Sequence, residues 1–274
     1  MPGTQHPDTR FLDVPGGRIA FDDSGTTAGG APVVLLPGML DSRASYRYLR
    51  PLLVAAGHRV ITMDLRGFGE SSIAWDDYSP DAVAHDVFAL LDHLGIARAV
   101  LVGNSYTGAT VVKAAGTAPE RVAGIALIDA FLEHSPNAFG RALMKALGPL
   151  VLAFPGSWGA AQRYYYPSRR PADFGAYRAG LVAALCAPGR KNATRGQLGG
   201  DSVAAGSAAA VRCPALVIMG SKDVDFPDPA ALADRQAAAL KGRKVMIDGA
   251  GHYPQAEFPG ATADALLPFL HEVA

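Results

Sequence analysis

Cysteine is nearly absent from this sequence, which has 274 residues but only two cysteines, Cys186 and Cys213. Two cysteines cannot build a disulfide framework, and their spacing matches no metal-binding motif. Both lie among alanine, proline and valine, so we interpret each as a small buried hydrophobic side chain.

Charge is also scarce, because charged residues make up 18% of the chain and 25 basic residues balance 25 acidic ones. A chain with this balance lacks the basic surface that binds nucleic acids or anionic membranes. We therefore expect a small-molecule substrate, with no nucleic-acid partner and no membrane partner. The oligomeric state stays open, and a homodimer is among the states that the sequence allows.

Long apolar runs are missing as well. No run approaches the ~18 apolar residues of a membrane span. The opening residues, MPGTQHPDTR, contain no apolar signal segment, so we expect a cytoplasmic location. Apolar residues nevertheless make up 49% of the chain, which predicts a single domain over residues 1–274 with a large core.

Short apolar runs alternate with helical patterns along the first half of the chain. Runs such as PVVLL at 32–36 and AVLVG at 99–103 are typical of strands buried on both faces. The alternation predicts an α/β fold with a mostly parallel central sheet and helices on both faces. The predicted strands are 11–14, 18–23, 32–36, 59–64, 99–103, 122–129, 215–220 and 244–248, and the predicted helices are 43–56, 81–94, 107–118, 229–240 and 261–273.

The alternation breaks between residues 131 and 205, where six prolines interrupt helical pieces. This stretch is too long and too apolar for a plain loop. We expect it to form a helical cap, inserted after the sixth strand over the carboxyl edge of the sheet. The core would then comprise residues 1–130 and 206–274. The Ala- and Gly-rich segment 196–210 is predicted to be the linker that returns to the core.

Ser105 is the candidate nucleophile, because it lies between the predicted strand at 99–103 and the predicted helix at 107–118. A serine on such a tight turn projects above the sheet edge, and small neighbours such as Gly103 and Gly108 let the turn close. The helix N-terminus behind the serine offers N–H groups to an oxyanion. The alternative is that Ser105 only caps the helix, which is a common role of serine.

A serine hydroxyl needs a base, and the base needs an acid that orients it. His252 follows the predicted strand at 244–248 and Asp223 follows the one at 215–220, so both would reach the edge where Ser105 lies. We favour Asp223 as the acid because it lies nearest to a strand end. Asp225 and Asp129 remain its rivals, and the loser would be a turn residue.

Two backbone N–H donors would stabilise the oxyanion that forms when a serine attacks a carbonyl group. We expect one from Tyr106, the residue after the serine, and one from Met39, in the loop after the strand at 32–36. Gly38 lets this loop turn toward the site, although an ordinary turn would look the same in the sequence. Such a site requires no metal ion and no organic cofactor.

The predicted cap is rich in aromatic residues, which suits a small hydrophobic ligand. We expect Gly38, Phe131, Trp158 and Tyr253 to contact the substrate. The alternative is that most of the aromatic rings only pack the cap against the core.

Four motifs stand out in the sequence: MDLRGFGESS at 63–72, GNSYTG around Ser105, GSKDVDFP around Asp223 and GAGHYPQAEFP around His252. Together they resemble the α/β-hydrolase superfamily, in its serine esterase-like and epoxide-hydrolase-like branch with a helical cap. The order of nucleophile, acid and histidine is also the order that this fold uses. The resemblance covers nearly the whole chain and implies an α/β-hydrolase fold with Ser105, Asp223 and His252 as a catalytic triad.

Two positions depart from the family pattern. Pro37 stands where many relatives have histidine, and Thr107 replaces the last glycine of G-x-S-x-G. Epoxide hydrolases and haloalkane dehalogenases carry aspartate at the position of Ser105, so the resemblance favours a serine hydrolase that cleaves a small hydrophobic ester through an acyl-enzyme. Asn104, the residue before the serine, is similar to the residue at that position in C–C bond hydrolases, so this class stays an alternative. A perhydrolase, a thioesterase and a ligand receptor without catalysis on the same fold are further alternatives.

Overall fold

The centre of the molecule is an eight-stranded sheet. The computed structural model describes residues 9–25, 30–132, 154–199 and 204–273. The strands are β1 (Arg10–Val14), β2 (Gly17–Asp23), β3 (Val33–Leu36), β4 (Val60–Met63), β5 (Ala99–Asn104), β6 (Val122–Ile128), β7 (Ala215–Gly220) and β8 (Arg243–Ile247). They lie in the order β1-β2-β4-β3-β5-β6-β7-β8. β1 pairs with β2 and β2 with β4 in antiparallel register, and all later pairs are parallel.

Helices connect the parallel strands, and the described part of the chain between β6 and β7 contains four helices. This arrangement confirms the predicted α/β-hydrolase fold with a helical insertion after the sixth strand. Residues 133–153 and 200–203 of the predicted cap lie outside the described residues, and its limits at 131 and 205 stay predictions. The helices are α1 (Leu49–Ala55), α2 (Pro80–His93), α3 (Thr107–Thr117), α4 (Pro155–Ala161), α5 (Phe174–Leu185), α6 (Arg190–Gly199), α7 (Ala205–Ala208), α8 (Pro229–Leu240), α9 (Pro254–Glu257) and α10 (Pro259–Glu272).

The central strands are buried on both faces, as their continuous apolar runs indicate. In β3, Val34 and Leu36 pack into the core on one face, whereas Val33 and Leu35 pack into the core on the other. Helices α2, α3 and α8 cover the first face, and α1 and α10 cover the second. Because side chains alternate across a strand, each face needs its own layer of helices.

Two predicted elements differ from the structure. The helix predicted at 43–56 is a short 3-10 turn (Arg43–Tyr46) followed by α1. Pro51 lies in the first turn of α1 and has no N–H group for the carbonyl of Arg47, so the preceding residues do not continue into α1 as one regular helix. The prediction of a linker at 196–210 is wrong at both described ends, because α6 continues to Gly199 and Ala205–Ala208 is helical.

Gly196 explains why a glycine-rich stretch forms part of a helix here. A Cβ atom at Gly196 would lie 2.4 Å from Cδ2 of Tyr78, so only glycine lets the helix pack this closely on the tyrosine ring. The glycine therefore serves close packing and does not mark a flexible linker. Within the described ranges, no helix is long and apolar enough to cross a membrane.

Candidate active site

Ser105 occupies the tight turn between β5 and α3, with a φ of 55°, in the left-handed region that non-glycine residues seldom adopt. Its N–H donates to the carbonyl oxygen of Ile128 at 2.9 Å, and its own carbonyl accepts from the N–H groups of Gly108 and Phe131 at 3.0 and 3.2 Å. These three bonds hold the strained turn in place. A Cβ atom at Gly103 would lie 2.4 Å from the Thr107 carbonyl oxygen, so the turn requires glycine there.

Thr107, the departure from the G-x-S-x-G pattern, has a structural role in the same turn. Its hydroxyl lies 2.9 Å from the carbonyl oxygen of Leu36 and 3.0 Å from that of Asn104. Thr107 begins α3, and its φ is not among the positive values of the chain. Threonine therefore fits this position and also ties the turn to the end of β3.

His252 and Asp223 form a buried pair at the carboxyl edge of the sheet. His252 Nδ1 lies 2.7 Å from Asp223 Oδ2, and each residue is 3% exposed. Asp225 Oδ2 lies at 3.6 Å from the same nitrogen. Burial lowers the pKa of His252, but the charges of Asp223 and Asp225 outweigh it and raise the pKa to about 9.

Asp129, the other rival for the acid, lies beside this pair, and among the described residues its side chain forms no hydrogen bond with the imidazole. It ends β6 with a φ of 45°, and its Oδ1 accepts from the N–H of Gly220 at 2.9 Å. Burial, followed by the charge of Asp223, raises the pKa of the Asp129 carboxyl well above its ordinary value. A protonated Asp129 can donate to Asp223, which supports the charged form of Asp223.

Among the described residues, Asp129, Asp223 and His252 are also the group that could ligate a metal ion. One ligand atom from each lies within 4.8 Å of the others. The donor set fits a metal poorly, because Asp223 already bonds His252 Nδ1 and the raised pKa of Asp129 keeps a proton on that carboxyl. We interpret the three residues as a hydrogen-bond network in which a proton on Asp129 is donated to Asp223 beside the imidazole.

The His252 loop is fixed to the serine turn and to the helical insertion. Asn104, the residue before Ser105, donates its side-chain amide to the carbonyl oxygens of Ile128 at 3.0 Å and His252 at 3.3 Å. On the other side, the N–H of His252 donates to the carbonyl of Tyr165 at 3.2 Å. The sequence did not single out these contacts, since both partners are backbone atoms far away along the chain.

Glu257 adds a second attachment between the histidine loop and the insertion. Its carboxylate accepts from the N–H groups of Gly251 at 2.7 Å, Ser168 at 2.9 Å and Arg169 at 2.9 Å. Three backbone donors on one buried carboxylate stabilise the conformation of the loop. Glu257 lies within the motif GAGHYPQAEFP, but its partners lie in a distant segment, so no local pattern predicted this role.

The two expected oxyanion donors lie in the loop after β3 and at the start of α3. Within the described residues, the N–H groups of Met39 and Tyr106 have no hydrogen-bond partner. The next residue, Leu40, has a φ of 58° and donates its N–H to Gln197 Oε1 at 2.8 Å. Gln197 is 2% exposed and comes from α6, so the insertion holds the backbone beside Met39.

Aromatic rings surround His252. The centroid of its ring lies 5.3 Å from that of Tyr253, a predicted substrate contact, and 5.9 Å from that of Phe131, another one. Tyr165 and Phe226, which the sequence analysis did not select, lie at 5.1 and 6.3 Å.

The other two predicted substrate contacts lie at different positions around the site. Gly38 lies against the serine turn, since a Cβ atom there would be 3.3 Å from Ser105 Cβ. The ring centroid of Trp158 lies 5.9 Å from that of Tyr165, which in turn lies 5.1 Å from that of His252. The roles of all four residues in substrate binding stay predictions.

A family model for the alpha/beta hydrolase fold matches residues 31–161. Epoxide hydrolase A of Mycobacterium tuberculosis is 28% identical over 96% of this chain and 97% of its own length. Bifunctional epoxide hydrolase 2 of Sus scrofa is 35% identical over 48% of this chain, and the match spans only 24% of that protein. 

The solved structure of a thermophilic esterase from Thermogutta terrifontis superimposes with a TM-score of 0.79 and 27% identity. The match covers 98% of this chain and 99% of the esterase. The matched sequence, the strand order and this structural likeness agree with one another. The chain belongs to the α/β-hydrolase superfamily and is related to epoxide hydrolases and esterases.

Proposed function

We propose that the protein is a serine hydrolase that cleaves a small hydrophobic ester through an acyl-enzyme on Ser105. The observation that supports this proposal is the buried pair of His252 and Asp223. The loop that contains His252 is hydrogen-bonded to Asn104, the residue before the serine. A base oriented by a carboxylate and held beside a serine on a strained turn is the arrangement that activates a hydroxyl group.

The proposed reaction begins with attack of Ser105 Oγ on the ester carbonyl carbon. His252 Nε2 accepts the hydroxyl proton, while Asp223 keeps the ring oriented through Nδ1 and stabilises the imidazolium. The N–H groups of Met39 and Tyr106 would bind the oxyanion, and loss of one such donor raises the barrier by ~3 kcal/mol. The imidazolium then gives its proton to the leaving alkoxide, which departs as an alcohol.

The second half of the reaction regenerates the serine. Water takes the place of the alcohol and gives a proton to His252 Nε2 as it attacks the acyl carbon. The oxyanion forms again at the same two N–H groups and collapses to release the acid. Ser105 Oγ leaves with the proton from the imidazolium, so the cycle consumes one water and changes no oxidation state.

The serine at position 105 favours esters over epoxides, although several relatives are named epoxide hydrolases. Attack of a serine hydroxyl on an epoxide carbon would form an ether, which has no carbonyl group for water to attack. Attack on an ester forms another ester, which the same oxyanion donors and base can hydrolyse. Of these two substrates, a hydroxyl nucleophile therefore completes a cycle with the ester.

The rings around His252 suggest the kind of acyl substrate. Phe131, Tyr165 and Phe226 all lie within a ring-to-ring distance of 6.3 Å from His252. Aromatic walls bury apolar groups well and exclude water from the imidazole. A small ester with an apolar acyl or alcohol part suits this lining.

Turnover of short p-nitrophenyl esters tests the proposed function, with Ser105→Ala as the variant. We expect many turnovers per molecule of wild-type protein and loss of at least about a thousandfold in kcat for the variant, as for other serine hydrolases. Lys113→Ala, a change in α3 at a partly exposed ion pair with Asp81, serves as the matched control and should keep its turnover. Equal turnover by wild type and Ser105→Ala, or none across a series of acyl lengths, would overturn the proposal.

A further inference from the structure

Asp41 is a buried carboxylate whose hydrogen bonds are only partly made. It lies two residues after Met39 and is 2% exposed. Its Oδ1 accepts from the hydroxyl of Tyr177 and from the N–H of Ser42. Its Oδ2 is buried and has no hydrogen-bond partner among the described residues. A buried carboxylate oxygen without a donor is costly, so this atom marks a position where a ligand donor would be stabilised.

The charge of Asp41 is not balanced by a neighbouring cation. Arg47, whose charge acts on Asp41, donates to both carboxylate oxygens of Asp173 at 2.6 and 2.7 Å. Asp64, the other carboxylate that acts on Asp41, pairs with Arg43. Among the described residues, no lysine, arginine or histidine forms an ion pair with Asp41 itself.

Asp41 keeps this charge in neutral solution. Burial raises the pKa of its carboxyl to about 6, while the hydroxyl of Tyr177, the N–H of Ser42 and the charge of Arg47 oppose the rise. Above that pH most molecules carry an ionised Asp41. An ionised acceptor binds a cationic donor more strongly than a neutral one, because hydrogen bonds between charged groups are the stronger kind.

Further polar side chains face Asp41 from the insertion and from the histidine loop. Burial, followed by the charge of Asp41, raises the pKa of Tyr166 and of Tyr253, which stack on each other at 5.5 Å between ring centroids. Gln162 donates its side-chain N–H to the Tyr253 hydroxyl at 3.5 Å, while its Oε1 is a second buried oxygen without a donor among the described residues. We call Asp41, Gln162, Tyr166, Tyr177 and Tyr253 the Asp41 cluster.

The Asp41 cluster borders the candidate active site on two sides. Tyr253 directly follows His252, and their ring centroids lie 5.3 Å apart. Asp41 belongs to the same loop as Gly38, which lies against Ser105, and as Met39. A substrate bound at Ser105 could therefore place one apolar end against the rings and a donor group at the cluster.

We propose that the Asp41 cluster is a subsite for a protonated amine on the substrate, whose N–H group donates to Asp41 Oδ2. The assignment of this amine to a substrate rests on the proposed function, whereas the binding of an amine does not. It narrows the substrate class to esters that combine an apolar part with an ammonium group. Asp41 would supply binding and orientation and would take no part in proton transfer.

Equilibrium binding of matched esters to the Ser105→Ala protein tests this subsite without turnover. One pair, methyl ε-aminocaproate and methyl heptanoate, carries or lacks the cation in the acyl part. The other, β-dimethylaminoethyl acetate and isoamyl acetate, carries or lacks it in the alcohol part. Calorimetry near neutral pH should show that the amine binds about tenfold tighter in at least one pair.

A second substitution in the same protein identifies the acceptor. Asp41→Asn should abolish the preference for the amine, because the amide keeps the shape and loses the charge. Asp264→Asn, which removes an exposed carboxylate on α10, should preserve it. Equal affinities within both pairs, or a preference that survives Asp41→Asn, would overturn the proposal.

Two further measurements keep the outcome clear. If Asp41→Asn does not fold, the preference is compared above and below about pH 6, where Asp41 gains a proton. The preference should fall on the acidic side, and a constant preference would overturn the subsite. Failure of the proposed function would give a different result from failure of the subsite. Wild-type protein would then hydrolyse none of the four esters, while Ser105→Ala would still bind the amine more tightly.

Discussion

The side-chain amide of Asn104 donates to the backbone oxygen of His252 at 3.3 Å, and it thereby joins the turn that carries Ser105 to the loop that carries the imidazole. The same amide nitrogen donates to the Ile128 carbonyl at 3.0 Å, at the end of the neighbouring strand β6. One buried residue therefore links three loops that lie far apart in the sequence. The relative position of serine and histidine depends on it.

Replacement of Asn104 by leucine should lower both stability and activity. The change leaves the carbonyl of His252 without a donor, while the carbonyl of Ile128 keeps the N–H of Ser105, so we expect a cost of about 1–3 kcal/mol in the free energy of unfolding. Because the His252 loop loses its bond to the serine turn, kcat should fall by about tenfold or more at temperatures where the variant is folded. Chemical denaturation and ester turnover measure the two effects, and Asn104→Leu with wild-type kcat would contradict the linking role.

The pH dependence of kcat/KM should show a base with a raised pKa. Asp223 and Asp225 overcome the effect of burial and raise the pKa of His252 to about 9, and only neutral imidazole can accept the serine proton. Activity should therefore increase with pH, with a midpoint above the ordinary value of about 6.5 for histidine. Asp225→Asn should move the midpoint down, and Asp264→Asn should leave it in place.

The same raised pKa has a consequence for stability. A group with a higher pKa in the folded state stabilises the fold fully below its unfolded value, about 6.5 for histidine. This contribution is lost as the pH rises through about 9, the folded value for His252. A His252→Gln variant should lose this dependence in denaturation experiments at several pH values. A midpoint of kcat/KM at or below about pH 6.5, the ordinary value for histidine, would contradict both the raised pKa of His252 and its predicted effect on stability.

Asp129 should act by positioning Asp223. Asparagine at this position keeps an N–H donor for Asp223 and an acceptor for the N–H of Gly220, whereas leucine keeps neither. Asp129→Leu should therefore lower the free energy of unfolding by about 1–3 kcal/mol and reduce kcat more than Asp129→Asn does. Steady-state kinetics of Asp129→Leu and Asp129→Asn tests this role. Equal kcat values for the two variants would show that Asp129 does not position Asp223.

Gln197 should hold the backbone at Met39. Its Oε1 accepts from the N–H of Leu40, so Gln197→Leu removes the acceptor and Gln197→Glu retains one. We expect Gln197→Leu to lower kcat by about tenfold with a smaller change in KM, because an oxyanion donor acts mainly in the transition state. Gln197→Glu should fall between this variant and wild type. A change in KM alone would assign Gln197 to substrate binding instead.

The elements of the sheet and the ends of the functional loops could be predicted from local sequence. The strands at 32–36 and 215–220 are continuous apolar runs, which are typical of strands buried on both faces. Ser79 and Pro80 mark the start of α2, where the Ser79 hydroxyl accepts from the N–H of Ala82. Ser105 could be found because small residues flank it between a strand and a helix.

Contacts between distant segments could not be predicted in the same way. Gln197 bonds to a backbone group 157 positions away, and Tyr177 bonds to Asp41 at a separation of 136. No local pattern records such a pairing. From the sequence alone, Asp129, Asp223 and Asp225 were alternatives for the acid that orients His252. In the structure, parallel strands end at one edge of the sheet and bring all three carboxylates near the same imidazole.

Labelling by a fluorophosphonate probe tests the central claim most directly, because the probe phosphonylates only a serine that a base has activated. Intact mass spectrometry should show one adduct per molecule, and peptide mapping should place it on Ser105. Labelling should decline in His252→Gln and disappear in Ser105→Ala. An unlabelled wild-type protein, or an adduct on any other residue that persists in Ser105→Ala, would contradict the account.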